Sequence, residues 1–183
     1  MIFPFKRSLA QAVAIPKGVS IHTTDALYQG VLPDTLICAL VDDVALSGSV
    51  TKNPFNFEHA KISELTLLHG HKTYPLLGYR PDFVNGDYQR DFLSVLHELG
   101  RDEETQNMLD INAEEWAKGF TFFVFQITKG PADVLGPRSN SEAGEIRARF
   151  NFAAATDKHY KLIVIGEFLN KIEIDKFNNV VLT

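Results

Sequence analysis

The sequence predicts an all-β fold of the sandwich kind. Short runs rich in Val, Ile, Thr, Phe and Tyr recur along the chain with turn residues between them. Several of these runs alternate apolar and polar residues with the period of two that a half-buried strand requires. Strands and helices do not alternate, which excludes a doubly wound α/β fold.

The elements follow in order. Leu9 to Ile15 sets Leu9, Val13 and Ile15 on one face, and Pro16-Lys-Gly18 ends the run. Val19 to Thr23 is a second short alternating run. Pro33-Asp34 opens Thr35–Val41, whose unbroken apolar character predicts burial on both faces. Asp42 to Phe57 reads as a long connection broken at Ser47-Gly-Ser49 and Asn53-Pro54, with Phe55 and Phe57 supplying its packing. Lys61–His69 and Lys72–Leu77 flank His69-Gly-His71 as a hairpin closed at the glycine.

Asp87 to Leu99 is the clearest helix, with Tyr88, Phe92, Val95, Leu96 and Leu99 at helical spacing and Gly100 as its stop. A helical turn follows over Asn112–Lys118, with Asn112 as N-cap, Glu114 and Glu115 in its first turn, and Gly119 closing it. Phe120–Thr128, Glu145–Phe152 and Tyr160–Phe168 are strong strands, and Lys171–Asp175 alternates again. Ile146, Ala148, Phe150 and Phe152 share one face, opposite Arg147, Arg149 and Asn151. Lys129–Ala143, rich in Gly, Pro, Ser and Asn, reads as a surface loop. The order of about eight strands with one inserted helix is best fitted by a jelly roll.

Bulk properties fit a single domain. At 183 residues, residues 1–183 fold as one unit that buries roughly 70% of its unfolded surface. A formal charge of −5 argues against a surface that binds nucleic acid by neutralising phosphates. Arg147 and Arg149 read as solvated residues on the polar face of a strand. No apolar run approaches the roughly 18 residues of a membrane span. The lone Cys38, flanked by apolar residues, reads as a buried and inert thiol.

No catalytic constellation stands out, and no cofactor is implied. His69 and His71 are two apart, and on an extended strand both rings could hold one metal. No carboxylate follows them, and Gly70 favours a turn that splays the rings. Asp42-Asp43 and Asp102-Glu103-Glu104 lack the spacing of a calcium loop. His97-Glu98 lacks the second histidine of a zinc helix, because Arg101 takes its place.

Two segments carry a resemblance. One is Asn53-Pro-Phe-Asn-Phe57, continuing through Lys61–His69 to Pro81-Asp-Phe-Val-Asn-Gly-Asp-Tyr-Gln-Arg-Asp-Phe92. The other is Lys161-Leu-Ile-Val-Ile-Gly-Glu-Phe168 with Asn170 and Lys171-Ile-Glu-Ile-Asp175. With Pro4-Phe-Lys-Arg7, Leu32-Pro33, Val41-Asp42 and Gly119-Phe-Thr-Phe-Phe-Val-Phe125, they resemble the C-terminal part of the double jelly-roll major capsid proteins of Polinton/Maverick-type transposons and related viruses.

That family's subunit carries two jelly rolls, and three subunits form a pseudo-hexameric capsomer. The resemblance therefore implies a structural protein without catalysis, made in the host cytoplasm or nucleus and placed in the virion capsid. It implies further copies of the chain as partners, in a trimer or higher assembly, or else the missing N-terminal jelly roll. The chain begins with its own Met1 and matches the second jelly roll alone, as an excised domain, a single-jelly-roll relative or a domesticated fragment. Phe55, Phe57, Tyr88 and Phe92 are the expected subunit contacts. A jelly-roll module binding carbohydrate or a similar ligand would instead use Trp116 and Tyr79 as exposed platforms, and a cupin-like metal enzyme would use His69 and His71.

Overall fold

The computed structural model describes residues 2–99, 111–127, 143–174 and 180–182. Its strands are β1 (Ile2–Ile15), β2 (Ile21–Thr23), β3 (Tyr28–Val31), β4 (Thr35–Asp42), β5 (Ile62–His69), β6 (Lys72–Tyr79), β7 (Phe122–Gln126), β8 (Ala143–Phe152), β9 (Tyr160–Ile174) and β10 (Val180–Leu182). The helices are α1 (Asp43–Leu46), α2 (Gln89–Glu98) and α3 (Ala113–Ala117).

The strands form two sheets. One runs β1-β9-β4-β7, with β10 added to β9; the other runs β2-β8-β5-β6, with β3 also on β8. With β2 and β3 counted as one interrupted strand and β10 left aside, the order is first-eighth-third-sixth and second-seventh-fourth-fifth. Only the β5–β6 hairpin stays within its sheet, and every other connection crosses the sandwich. That winding is the jelly roll.

Alternation builds the core between the sheets. Leu36, Cys38 and Leu40 of β4, Phe123 and Phe125 of β7, and Leu162 and Val164 of β9 face inward. They meet Ile146, Ala148, Phe150 and Phe152 of β8, together with Ile62, Leu65 and Leu67 of β5. The clean alternation of β8 and the double burial of β4 agree with the sequence. Burial also pushes the Cys38 thiol well above its usual range, which keeps it protonated and unreactive.

The β7 edge is closed by side chains. Phe122, Val124 and Gln126 direct their outer backbone groups away from β4. Phe122 O accepts from Trp116 Nε1 at 2.9 Å, Val124 O from the Tyr79 hydroxyl at 2.5 Å, and the Gln126 N–H donates to Glu98 Oε2 at 3.2 Å. A strand that would otherwise offer free donors and acceptors is thereby covered from α3, β6 and α2. Asn112 caps α3 in a reciprocal box with Glu115, which fixes the helix that delivers Trp116.

Five features depart from the sequence expectation. β1 starts at Ile2 rather than Leu9, because it pairs with β9 along its whole length. Tyr28–Val31 forms β3, a strand the pattern did not signal. The long connection after β4 holds the short helix α1, capped by Asp42. Tyr160–Phe168 and Lys171–Asp175, expected as two strands, belong to one strand reaching Ile174, because β1 pairs with it without interruption from Ile15 to Ile2. Val180–Leu182 adds β10. The Lys129–Ala143 loop (up to β8), Gly100, Arg101 and Asp102-Glu103-Glu104 lie outside the described residues.

Candidate functional site

One end of the sandwich gathers both an apolar surface and a charged network. It is built from the β4–β5 connection with α1, the α3–β7 turn and the β8–β9 connection. Asp42 is its hinge point. As N-cap of α1 it accepts the Val44 N–H on Oδ1 at 2.9 Å. Its Oδ2 receives Lys52 at 2.6 Å and Lys158 at 3.2 Å. Burial alone would raise this carboxyl, but Lys52, the Val44 amide and Lys158 together hold it down at about 2.

Lys158 also donates to Glu58 at 2.8 Å and lies 5.4 Å from the centre of the Tyr160 ring. The Tyr160 hydroxyl bonds Asp157 Oδ1 at 3.0 Å. Burial, then the carboxylates of Asp157 and Glu58, push that phenol upward, so it remains a neutral donor.

The β4–β5 connection is pinned at defined points. The Phe57 N–H donates to Gly119 O at 2.8 Å, Thr121 N–H to Phe57 O at 3.2 Å, and Glu58 N–H to Leu40 O at 2.8 Å. Gly119 has φ +138°, and a Cβ there would lie 2.6 Å from Asn56 Oδ1, so only glycine allows this approach. Asn53 Oδ1 accepts the Phe55 N–H at 2.9 Å, which turns the chain so that Phe55 projects outward.

The four expected contact residues separate. Phe55 is 72% exposed, and Phe57 is half-buried against the bridge to Phe120. Tyr88 is half-buried and Phe92 buried, both in an aromatic cluster around Trp116, with ring centres 6.3 and 5.9 Å away. Phe92 therefore packs the core and presents no contact surface, and Tyr88 presents little. At this end Val44, Leu46 and Val50, on the same connection as Phe55, and Phe120, on the α3–β7 turn, are also exposed.

Trp116 and Tyr79 are both fully buried. This overturns their expected role as exposed platforms for a ligand. His69 and His71 also part: His69 lies against Gly144 of β8, while His71 lines a cleft with Glu98 and Phe125. Among the described residues no group of three or more His, Cys, Asp or Glu side chains is placed to hold a metal ion. Nor is any described helix long and apolar enough to cross a membrane.

No family model matches the chain. Over 128 residues it is 25% identical to the uncharacterized protein F54H12.2 of Caenorhabditis elegans, a match that takes in 69% of this chain and 30% of that protein. In structure it is similar to a chain of the Sputnik virophage solved by cryo-electron microscopy, with a TM-score of 0.58, 9% identity, and coverage of 100% of this chain and 38% of the other. It is also similar to the mavirus major capsid protein, with a TM-score of 0.43, 13% identity, and coverage of 100% and 41%. The chain thus spans about a third of the length of the sequence relative and of the Sputnik chain. At 9% identity the Sputnik likeness establishes the fold: the chain is a jelly-roll sandwich of the kind found in a virophage chain.

Proposed function

We propose that the chain is a capsid structural protein, or the C-terminal jelly-roll domain of one, which builds a shell by self-association and without catalysis. The observation that carries this reading is the likeness of the entire chain to part of a virophage chain, in a fold whose β7 edge is covered. Covering the β7 edge blocks strand addition there and leaves the ends and loops as surfaces for assembly. The partner is a second copy of the chain or a preceding jelly roll, as the greater length of the Sputnik chain favours. The place of action is the virion shell, after synthesis in the host cytoplasm or nucleus. Polinton/Maverick-type elements are the source that the sequence resemblance favours.

Phe55 is the residue we assign to the contact, with Phe57 holding its loop in place. Burying an exposed Phe ring against a partner removes apolar area from water and stabilises by about 1.5–3 kcal/mol. Light scattering on size-exclusion peaks, across a concentration and salt series, tests the reading. Discrete trimers or larger species that Phe55→Glu dissolves are the expected result. A strict monomer at high concentration, both alone and mixed with the preceding part of its longer relatives, overturns it.

A further inference from the structure

The same end of the sandwich contains a histidine whose ring works as a backbone cap. His59 Nδ1 accepts the Lys61 N–H at 2.9 Å, and the His59 carbonyl accepts the Ile62 N–H at 2.8 Å. Between them the chain passes through two left-handed non-glycine residues, Ala60 at φ +46° and Lys61 at φ +54°. Such a pair persists only where its surroundings enforce it. Ile62, fully buried at the start of β5, follows immediately. The other face of the ring stacks on Phe83 with centres 4.3 Å apart and planes 17° apart, which joins this turn to the aromatic cluster at Trp116.

We propose that His59 is an acid-released latch: its neutral ring holds the Ala60–Lys61 turn, and protonation at Nδ1 frees the turn and the segment leading into β5. The chemistry is a donor count. A neutral ring protonated at Nε2 offers Nδ1 as an acceptor, whereas an imidazolium carries hydrogen on both nitrogens. Its Nδ1–H would then oppose the Lys61 N–H, and one of the two must move away.

The surroundings leave the ring reachable but poorly prepared for charge. It lines a cleft of about 400 Å³ open to solvent. Burial lowers its affinity for a proton; Glu58 opposes that effect and Lys61 adds to it. Glu58 is itself engaged by Lys158. From the β8–β9 connection Asp157 faces the cleft, bonded to the Tyr160 hydroxyl, and from α3 Lys118 faces it, paired with Glu114. In the loop that carries Phe83, Asp82 accepts the Val84 and Asn85 N–H groups within its own turn. Asp87 in that loop is bridged backbone to backbone with Asp82.

The sign follows from the depressed affinity. An unfolded or opened segment binds the proton more tightly than the closed one, so closure is favoured above the ordinary histidine range near 6.5 and weakens as pH falls below it. Each unit of depression changes the opening equilibrium about tenfold.

Hydrogen exchange of the peptide spanning residues 57–65, corrected for intrinsic rates, between about pH 7.5 and about pH 5 tests the latch in the intact chain. Protection is expected to be lost in acid and regained on return to neutral pH. His59→Asn keeps a side-chain acceptor for the N–H two residues on and cannot titrate, so protection should persist at both pH values. His59→Leu removes the acceptor and should leave the turn open at both. A His59→Asn protein that loses protection in acid as the parent does overturns the proposal. So does a parent protein whose protection is unchanged.

Discussion

Tyr79 and Val124 join the two sheets: the Tyr79 hydroxyl on β6 donates to the Val124 carbonyl on the outer edge of β7 at 2.5 Å. Both residues are buried, and the ring packs against Phe123 and Phe125 at 5.1 and 5.2 Å. Burial pushes the phenol far above its usual range, so it donates at every accessible pH. Tyr79→Phe keeps the ring and leaves a buried carbonyl unpaired. The expected cost is about 1–3 kcal/mol in urea unfolding, with the cooperativity of the transition unchanged.

Phe55 and Phe92 form a matched pair for separating surface from core. Phe92→Ala should destabilise by about 3–5 kcal/mol, because the ring is buried against Trp116 and its removal leaves a cavity. Phe55→Ala should stay within about 0.5 kcal/mol in the monomer. If Phe55 serves the contact, its substitution should weaken self-association while the melting temperature of the monomer stays put. Thermal melts paired with light scattering check both outcomes.

These two phenylalanines mark what the sequence could and could not convey. Period-two alternation in Glu145–Phe152 revealed both a strand and its inner face, since a sandwich strand has one wet side. The capping box at Asn112 was legible as well, because its signal is local. Long-range pairing was not. Asn170 and Lys171 look like a break, yet β9 continues through them because Phe5 and Pro4 of β1 pair with them. Gly30 hides β3, whose backbone is held by its ladder with β8. Aromatic residues alone did not separate surface from core: Phe55 projects from an Asn53 turn, whereas Tyr88 and Phe92 pack with Phe83, Trp116 and Phe123, from the loop before α2, from α3 and from β7.

Gly166 holds a second site where size decides. A Cβ there would lie 2.8 Å from Tyr28 Cζ, and the Tyr28 hydroxyl reaches past it to Leu9 O at 2.7 Å. Gly166→Ala should push the ring away, lose that bond and its edge contact with Phe168, and cost about 1–3 kcal/mol. Chemical denaturation compared with Tyr28→Phe, which loses only the hydroxyl, separates overpacking from the hydrogen bond.

Acid should act on this fold in two windows with different owners. The upper one belongs to His59 and to His22, each held below the ordinary histidine range chiefly by burial, so stability declines as pH falls below about 6.5. The lower one belongs to Asp42. Its folded value of about 2 lies below the unfolded 3.8, so the stability it contributes is complete above the unfolded value. That contribution drains away as pH drops from about 4 towards 2. Protonation there breaks the pairs with Lys52 and Lys158, leaving Lys158 on Glu58, and weakens the cap of α1, the helix that carries Val44 and Leu46. Asp42→Asn should retain the cap but not the two ion pairs, costing about 1–3 kcal/mol at neutral pH and flattening the lower window only. Urea midpoints measured from pH 7 to pH 2 decide it: a lower window that survives in Asp42→Asn would assign it to another carboxylate.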